Sequence, residues 1–388
     1  MRAAERLAEQ LRAESQPAAR AVLELRLAAL AAAQGRFEEV SDTLLRVRQA
    51  FPGQASAELS AWLSLVEGVL RFHQSPDEAA RDRLQRAHAL ARLAPGCGAL
   101  GPATAWLAHL HFNQGRLDAC GELAREALGQ ARPDDHAVLA RLALTLASAW
   151  MTAGQANAAY TWFERARQQA VREGDSAMLG AVLHDSAVFE LHEQRLAWAG
   201  LVRQQPPGQD GLGGPVQARL DSARHYEDLA RLRALPELQA LARASLCVLQ
   251  DEPAPARVLL EGVLDRLDGA GLQRYDAPAR ADLLWCDCVL AQRAAGPGVT
   301  ARALQAPQTQ VDDVVQRLAR TPDLDDRFLV HATLARALAA AGQDGPAAQQ
   351  RRLADELGAR LADSRQELHA QLHRQGLEAS TWDTLYGS

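Results

Sequence analysis

Apolar and polar positions recur with a helical period through most of the chain, most clearly around Gly154. With Gly154 counted as position 15 of a unit, Leu146 stands at 7, Ala147 at 8, Trp150 at 11, Ala159 at 20, Phe163 at 24 and Ala166 at 27. Small residues at 8 and 20 let two antiparallel helices approach closely, large ones at 11 and 24 fill the space between them, and the glycine ends the first helix. The frame recurs at Gly35, with Leu27, Ala28 and Ala31 before it and Val40, Leu44 and Val47 after it. It recurs at Gly115, between Leu107, Ala108 and His111 on one side and Cys120, Ala124 and Ala127 on the other. Gly68 with Ala80, Leu84 and Ala87 makes a further unit turning near Ser75, so the turns at 35, 75, 115 and 154 are about 40 residues apart.

Downstream, 179–194 reads as a first helix turning near Gln194, after which 204–217 ("QQPPGQDGLGGPVQ") is a Pro/Gly-rich loop or linker. The pattern resumes around Asp251, more loosely across 281–298, and clearly around Gly342. Seven or eight units are expected, in a first block over 1–203 and a second over 218–345. From Pro346 one long exit helix is expected over 346–380, on the order of 50 Å long, followed by a tail over 381–388. Leu353, Leu357, Leu361, Leu368 and Leu372 line one side of that helix, interrupted by Ser364 and Arg365, which makes it a candidate for a short two-stranded coiled coil and a homodimer contact.

Composition sharpens the helical reading. The hydrophobic 48% is mostly Ala and Leu, aromatic residues are 5%, and isoleucine is absent, so strand formers are scarce. All 42 basic residues are arginine, and with no lysine there is no Walker A loop, no Schiff-base lysine and no kinase-type phosphate-binding lysine. A net charge of −6, with arginines interleaved among acids, gives no basic field for nucleic acid. The amino terminus is a charged amphipathic helix rather than a signal peptide, and no run of about 18 apolar residues offers a membrane span, so a cytoplasmic location is expected. The five cysteines show no CxxC spacing and read as buried reduced thiols.

Candidate chemistry is sparse. His109-x-His111 and His369-xxx-His373 lack the acidic partners of a metal site, and Cys286-x-Cys288 diverges on a helix, so no metal and no cofactor are expected. No elbow such as GxSxG places a nucleophile, which points away from an enzyme. First helices of such an array line a groove, where positions 12 and 13 read Phe72-His73, Phe112-Asn113, Met151-Thr152 and Leu191-His192. This ladder suits an extended peptide or a helix, with His109, Asn113, Ser148 and His184 supplying hydrogen bonds. The alternative occupant is the chain's own 204–217 loop or terminal helix.

The repeats resemble the bacterial tetratricopeptide superfamily across most of residues 18–360. That resemblance implies an all-α, TPR-like α-solenoid of antiparallel helix pairs and a protein or peptide ligand. Members that clamp carboxy-terminal peptides use lysine and asparagine on first helices; this chain has no lysine and only Asn113 and Asn157, so that mode is not expected. The terminus carries a second resemblance. Leu377-Glu378 followed by Asp383-x-Leu385-x-Gly387 is similar to the entry into the catalytic domain of GGDEF-type diguanylate cyclases, with Tyr386 where that family has Thr and Ser388 where it has Leu. It implies the sensory or regulatory module of such a signalling protein, lacking its catalytic half, in which a ligand in the groove shifts the pose of the exit helix. The alternative is a free-standing assembly scaffold whose terminal helix folds back as a cap.

Overall fold

The structure is a computed structural model that describes residues 2–53, 56–74, 77–94, 96–201, 216–230, 232, 236–269, 272–295, 308–319 and 323–387. The described chain is helical throughout, with no strand among the described residues. In order it forms α1 (Arg2–Ala13), α2 (Pro17–Ala33), α3 (Phe37–Ala50), α4 (Ala57–Gln74), α5 (Glu78–Leu93), α6 (Leu100–Asn113), α7 (Leu117–Gln130), α8 (His136–Thr152) and α9 (Ala156–Glu173). It continues with α10 (Ser176–Ala199), α11 (Val216–Ala230), α12 (Pro236–Leu249), α13 (Pro253–Leu264), α14 (Asp276–Ala295), α15 (Gln308–Leu318), α16 (Leu324–Ala340), α17 (Asp344–Arg374) and α18 (Ala379–Tyr386). Consecutive helices pack in pairs, α2 with α3, α4 with α5, α6 with α7, α8 with α9 and α12 with α13. This is the TPR-like α-solenoid that the frame implies.

The turns show why the frame works. Gly115 and Gly154 sit at φ 67° and 73°, in the left-handed region that lets a helix end within one residue. After Gly154 the Gln155 amide donates to the Trp150 carbonyl at 2.9 Å, which satisfies one of the carbonyls the helix end leaves open. Asp251 fills the corresponding position between α12 and α13 at φ 61°, where its side chain makes that conformation tolerable. At the small positions the helices touch: a Cβ on Gly68 would lie 2.6 Å from Cδ2 of Leu84. Asp77 caps α5 by accepting from the Ala80 amide at 3.0 Å.

The chain folds as two compact units, one of Met1–Ser186, Pro207–Ala234 and Leu368–Ser388, the other of Ala187–Pro206 and Leu235–Glu367. In the first, Leu25, Val40, Leu44, Leu59, Leu65, Leu84 and Leu107 belong to one core built from α2 to α6. Within that unit α8 is buried on all sides, every residue from Val138 to Met151, as expected of a helix apolar around its whole circumference. In the second, α12 to α16 enclose Val248, Leu260, Leu284, Trp285 and Leu334. A buried pair ties that unit together, Arg195 donating to both carboxylate oxygens of Asp282 at 2.6 and 3.1 Å.

Several expectations are corrected. No turn occurs near Gln194: α10 runs unbroken to Ala199, because no breaker intervenes before Gly200. The division between the two units falls inside α10 and α17, which contribute residues to both. The Pro/Gly-rich stretch 204–217 lies outside the described residues except for Val216 and Gln217, which open α11. The turn near Ser75 also lies outside them. The terminal helix ends at Arg374, short of 380, because Gly376 takes φ 65° and the Leu377 amide turns back to the Leu372 carbonyl at 3.0 Å. Where only a tail is expected, the chain then forms α18. Of the leucines read as a dimer seam, Leu357, Leu361, Leu368 and Leu372 are buried within the chain, the first two against Leu196, Phe328 and Leu329. No described helix is long and apolar enough to cross a membrane.

Candidate functional site

In the first unit, the inner helices α4, α6 and α8 present residues spaced three, four and seven apart, which therefore share a face. Phe72 and His73 come from the last turn of α4, Trp106, His109 and Asn113 from α6, and Arg141, Thr145 and Ser148 from α8. The rings converge. Phe72 lies 5.3 Å from Trp106 and 5.2 Å from His109 between centroids, and His73 meets Trp106 edge-on at 5.7 Å. The Arg141 guanidinium sits over the Trp106 ring, 3.9 Å from its centroid.

Hydrogen bonds fix the imidazole of His109. Thr145 Oγ1 donates its hydrogen to the Arg141 carbonyl at 2.9 Å, so toward His109 Nδ1, 3.1 Å away, it acts as acceptor. Nδ1 therefore carries the proton, and Nε2 is left to accept from Asn113 Nδ2 at 3.4 Å. Burial, with Arg141 close by, pushes His73 down to about 4 and His109 well below its ordinary value. Both rings are neutral at physiological pH. Burial also lowers Arg141 to about 10, against the pull of Asp175 and Asp185, so it remains a cation.

Two polar atoms in this cluster are buried without a hydrogen-bond partner, Arg141 Nε and His73 Nε2. Each costs about 1–3 kcal/mol if nothing satisfies it. Both residues pack against the same indole ring.

The residues expected in the groove divide accordingly. Phe72, His73, His109 and Asn113 are brought together, and Phe112 is half-buried beside Asn113 on α6. Ser148 Oγ and Thr152 Oγ1 donate to helix carbonyls, of Leu144 and Ser148, at 3.0 Å each. Met151 and Leu191 are packed inside, 1% and 2% exposed, whereas Phe72 and Phe112 at the same position of their units are half-buried. His184 stands apart, with Nδ1 3.9 Å from Glu227 Oε1 of α11.

His192 belongs to the second unit, where Nε2 lies 2.8 Å from Asp325 Oδ2. With Asp326 these groups lie within 4.8 Å of one another, a spacing that a metal ion could bridge. The pairing of His192 with Asp325 already satisfies both of those groups. His369 and His373 pair with each other at 2.9 Å beside Trp150.

Trp106 and Arg141, which organise the site, were not among the expected residues. The signal was present: Arg141 is the lone charge in "HAVLARLALTLASAWM", and counting back from Gly154 it stands at position 2 of its unit, one helical face with position 9.

No family model matches the chain, and no curated protein matches it. Among solved structures, the chain is similar to a Rap protein crystallised in complex with competence and sporulation factor, with a TM-score of 0.54 and 10% sequence identity. The match covers 92% of this chain and all of that one. At that identity the likeness is one of fold, an α-solenoid of helix pairs running nearly the whole length of both chains.

Proposed function

We propose that the chain works by recognising a peptide, or an extended segment of a protein, in the groove where Phe72, His73, Trp106, His109 and Arg141 converge. One observation carries this reading: Phe72, His73, His109 and Arg141 converge on the one half-buried indole of Trp106, bringing aromatic surface and a cation together. Apolar side chains of a ligand find Phe72 and Trp106 there, which are only half-buried, beside the positive charge of Arg141. The Rap protein of similar fold was crystallised with competence and sporulation factor, which supports a binding role for this kind of fold. The reading is of binding without catalysis.

The finer reading, a sensory module of a diguanylate-cyclase-type protein, draws on the terminal resemblance and on a route for coupling. Helix α8 carries Arg141 and Thr145 in the groove and Trp150 near its other end, where the indole Nε1 donates to the Leu377 carbonyl at 2.9 Å. A ligand that moves α8 therefore pulls on the terminal segment. A second reading, a free-standing scaffold with its terminus folded back, is favoured by the way that segment is held. The Trp382 ring lies 5.7 Å from Trp162, Arg165 donates to Asp383 at 2.6 Å, and the Tyr386 hydroxyl donates to the Leu128 carbonyl.

The test is retention of short random peptides on the immobilised chain, read by mass spectrometry. Retention should fall roughly tenfold in a Phe72→Ala, Trp106→Ala double variant that keeps its helical circular dichroism. It should persist in Leu93→Ala, a control at a side chain 78% exposed. No retention by the native chain, or equal retention by all three, would overturn the reading.

A further inference from the structure

In the second unit, His192 of α10 meets Asp325 and Asp326 from the first turn of α16, and one ligand atom of each lies within 4.8 Å of the other two. Among the described residues no other three histidine, cysteine or acidic side chains converge in this way. Ligand atoms around a four-coordinate ion stand roughly 3.4 Å apart when its bonds are about 2.1 Å, so small side-chain adjustments close the set on one ion. Asp325 is already oriented: Oδ1 accepts from the Asp326 amide at 3.0 Å, which leaves Oδ2 to face His192 Nε2 at 2.8 Å. The Asp326 carboxylate, by contrast, accepts no hydrogen bond and makes no ion pair with any described residue. Solvent reaches all three, since the side chains of His192 and Asp325 are 27% and 29% exposed and Asp326 is half-buried. Charge points the same way. Glu193 and Arg365 are bonded to each other, so Asp323, Asp325 and Asp326 face Arg274 alone, three carboxylates against one guanidinium and two negative charges in excess.

We propose that His192, Asp325 and Asp326 bind one divalent transition-metal ion of the zinc type, through the ring nitrogen and one oxygen of each carboxylate, with water completing its shell. The ion takes the place of the proton that His192 shares with Asp325. An imidazole among the ligands selects zinc and its neighbours over magnesium and calcium, which are held by oxygen alone. Because α10 and α16 both supply ligands, the ion staples these two helices within the second unit and stabilises the folded chain by mass action. The site is separate from the groove of the first unit and stands whether or not that groove binds peptide. Sequence spacing gave no sign of it, since 133 positions separate His192 from Asp325.

The test titrates the full chain, stripped of metal by a chelator, with zinc chloride at about pH 8, where the ligands are free of protons. Calorimetry should show one saturable equivalent of zinc and none of magnesium at the same concentration. Cobalt(II) in its place should give d–d absorption without a thiolate charge-transfer band, which distinguishes this site from the five cysteines. His192→Gln and Asp326→Asn should each weaken binding about tenfold or more. His373→Gln, which alters the exposed imidazole pair at the end of α17, should leave it unchanged. Asp326→Asn removes no hydrogen bond from the metal-free chain, so weaker binding there is not a folding defect. Zinc should also raise the urea midpoint of the native chain and not that of Asp326→Asn. Absence of a saturable equivalent, equal binding of magnesium, a thiolate band, unchanged affinity in both site variants or loss of binding in His373→Gln would each overturn the proposal.

Discussion

His192 and Asp325, 2.8 Å apart on α10 and α16, make the stability of the second unit depend on pH. Burial opposes the imidazolium, yet Asp325, with Asp326 and Glu193 near it, raises His192 to about 8. Burial beside Asp325 also raises Asp326 to about 7, while Asp323 adds repulsion and Arg274 relieves some of it. Against burial, the bond from His192 holds Asp325 down to about 2, so Asp325 does not titrate near neutrality. Both His192 and Asp326 hold protons in the folded state that the unfolded chain gives up, since an unperturbed histidine titrates near 6.5. The contribution of Asp326 is therefore lost as pH rises from its ordinary 3.8 to about 7, and that of His192 from 6.5 to about 8. The urea midpoint should fall over that interval, and His192→Asn should flatten the dependence. At this scale the sequence named Phe72, His73, His109 and Asn113, which the structure brings together, and did not name Trp106 or Arg141. Arg141 stands in an apolar run, and only packing decides that a buried arginine stacks on Trp106 rather than meeting a salt-bridge partner.

The terminal elements show the opposite imbalance. A long helix after Gly342 was readable from proline at its start and the leucines along it, but where it stops was not, because Gly358 and Gly376 look alike in sequence. Gly358 is accommodated inside the helix, where a Cβ would meet Phe328 at 3.2 Å, whereas Gly376 turns the chain. Beyond it, Leu377 and Trp382 are buried, and Trp382, 4% exposed, plugs α18 onto α9. Trp382→Ala should cost about 3 kcal/mol or more by the usual penalty for removing a buried aromatic. Limited proteolysis should then cut after residue 376 in the variant and not in the native chain. An unchanged cleavage pattern would show that α18 is not held by this ring.

At the scale of the molecule, period and small-residue spacing were enough to define the solenoid, because each helix pair repeats the same close approach. The division into two units was not legible: it falls within α10, a continuous helix whose sequence gives no sign of a change in neighbours. The burial of α8 has a further consequence. Its backbone amides from Val138 to Met151 are wrapped by side chains on every side, so deuterium can reach them only when the first unit opens as a whole. In hydrogen exchange these amides should be the slowest in that unit, far behind those of α11, whose outer face is exposed. A peptide bound by the first unit should slow them further by the amount it stabilises the unit. Helix α8 would thus serve as an internal clock, reporting ligand binding through backbone amides rather than through the side chains that meet the ligand.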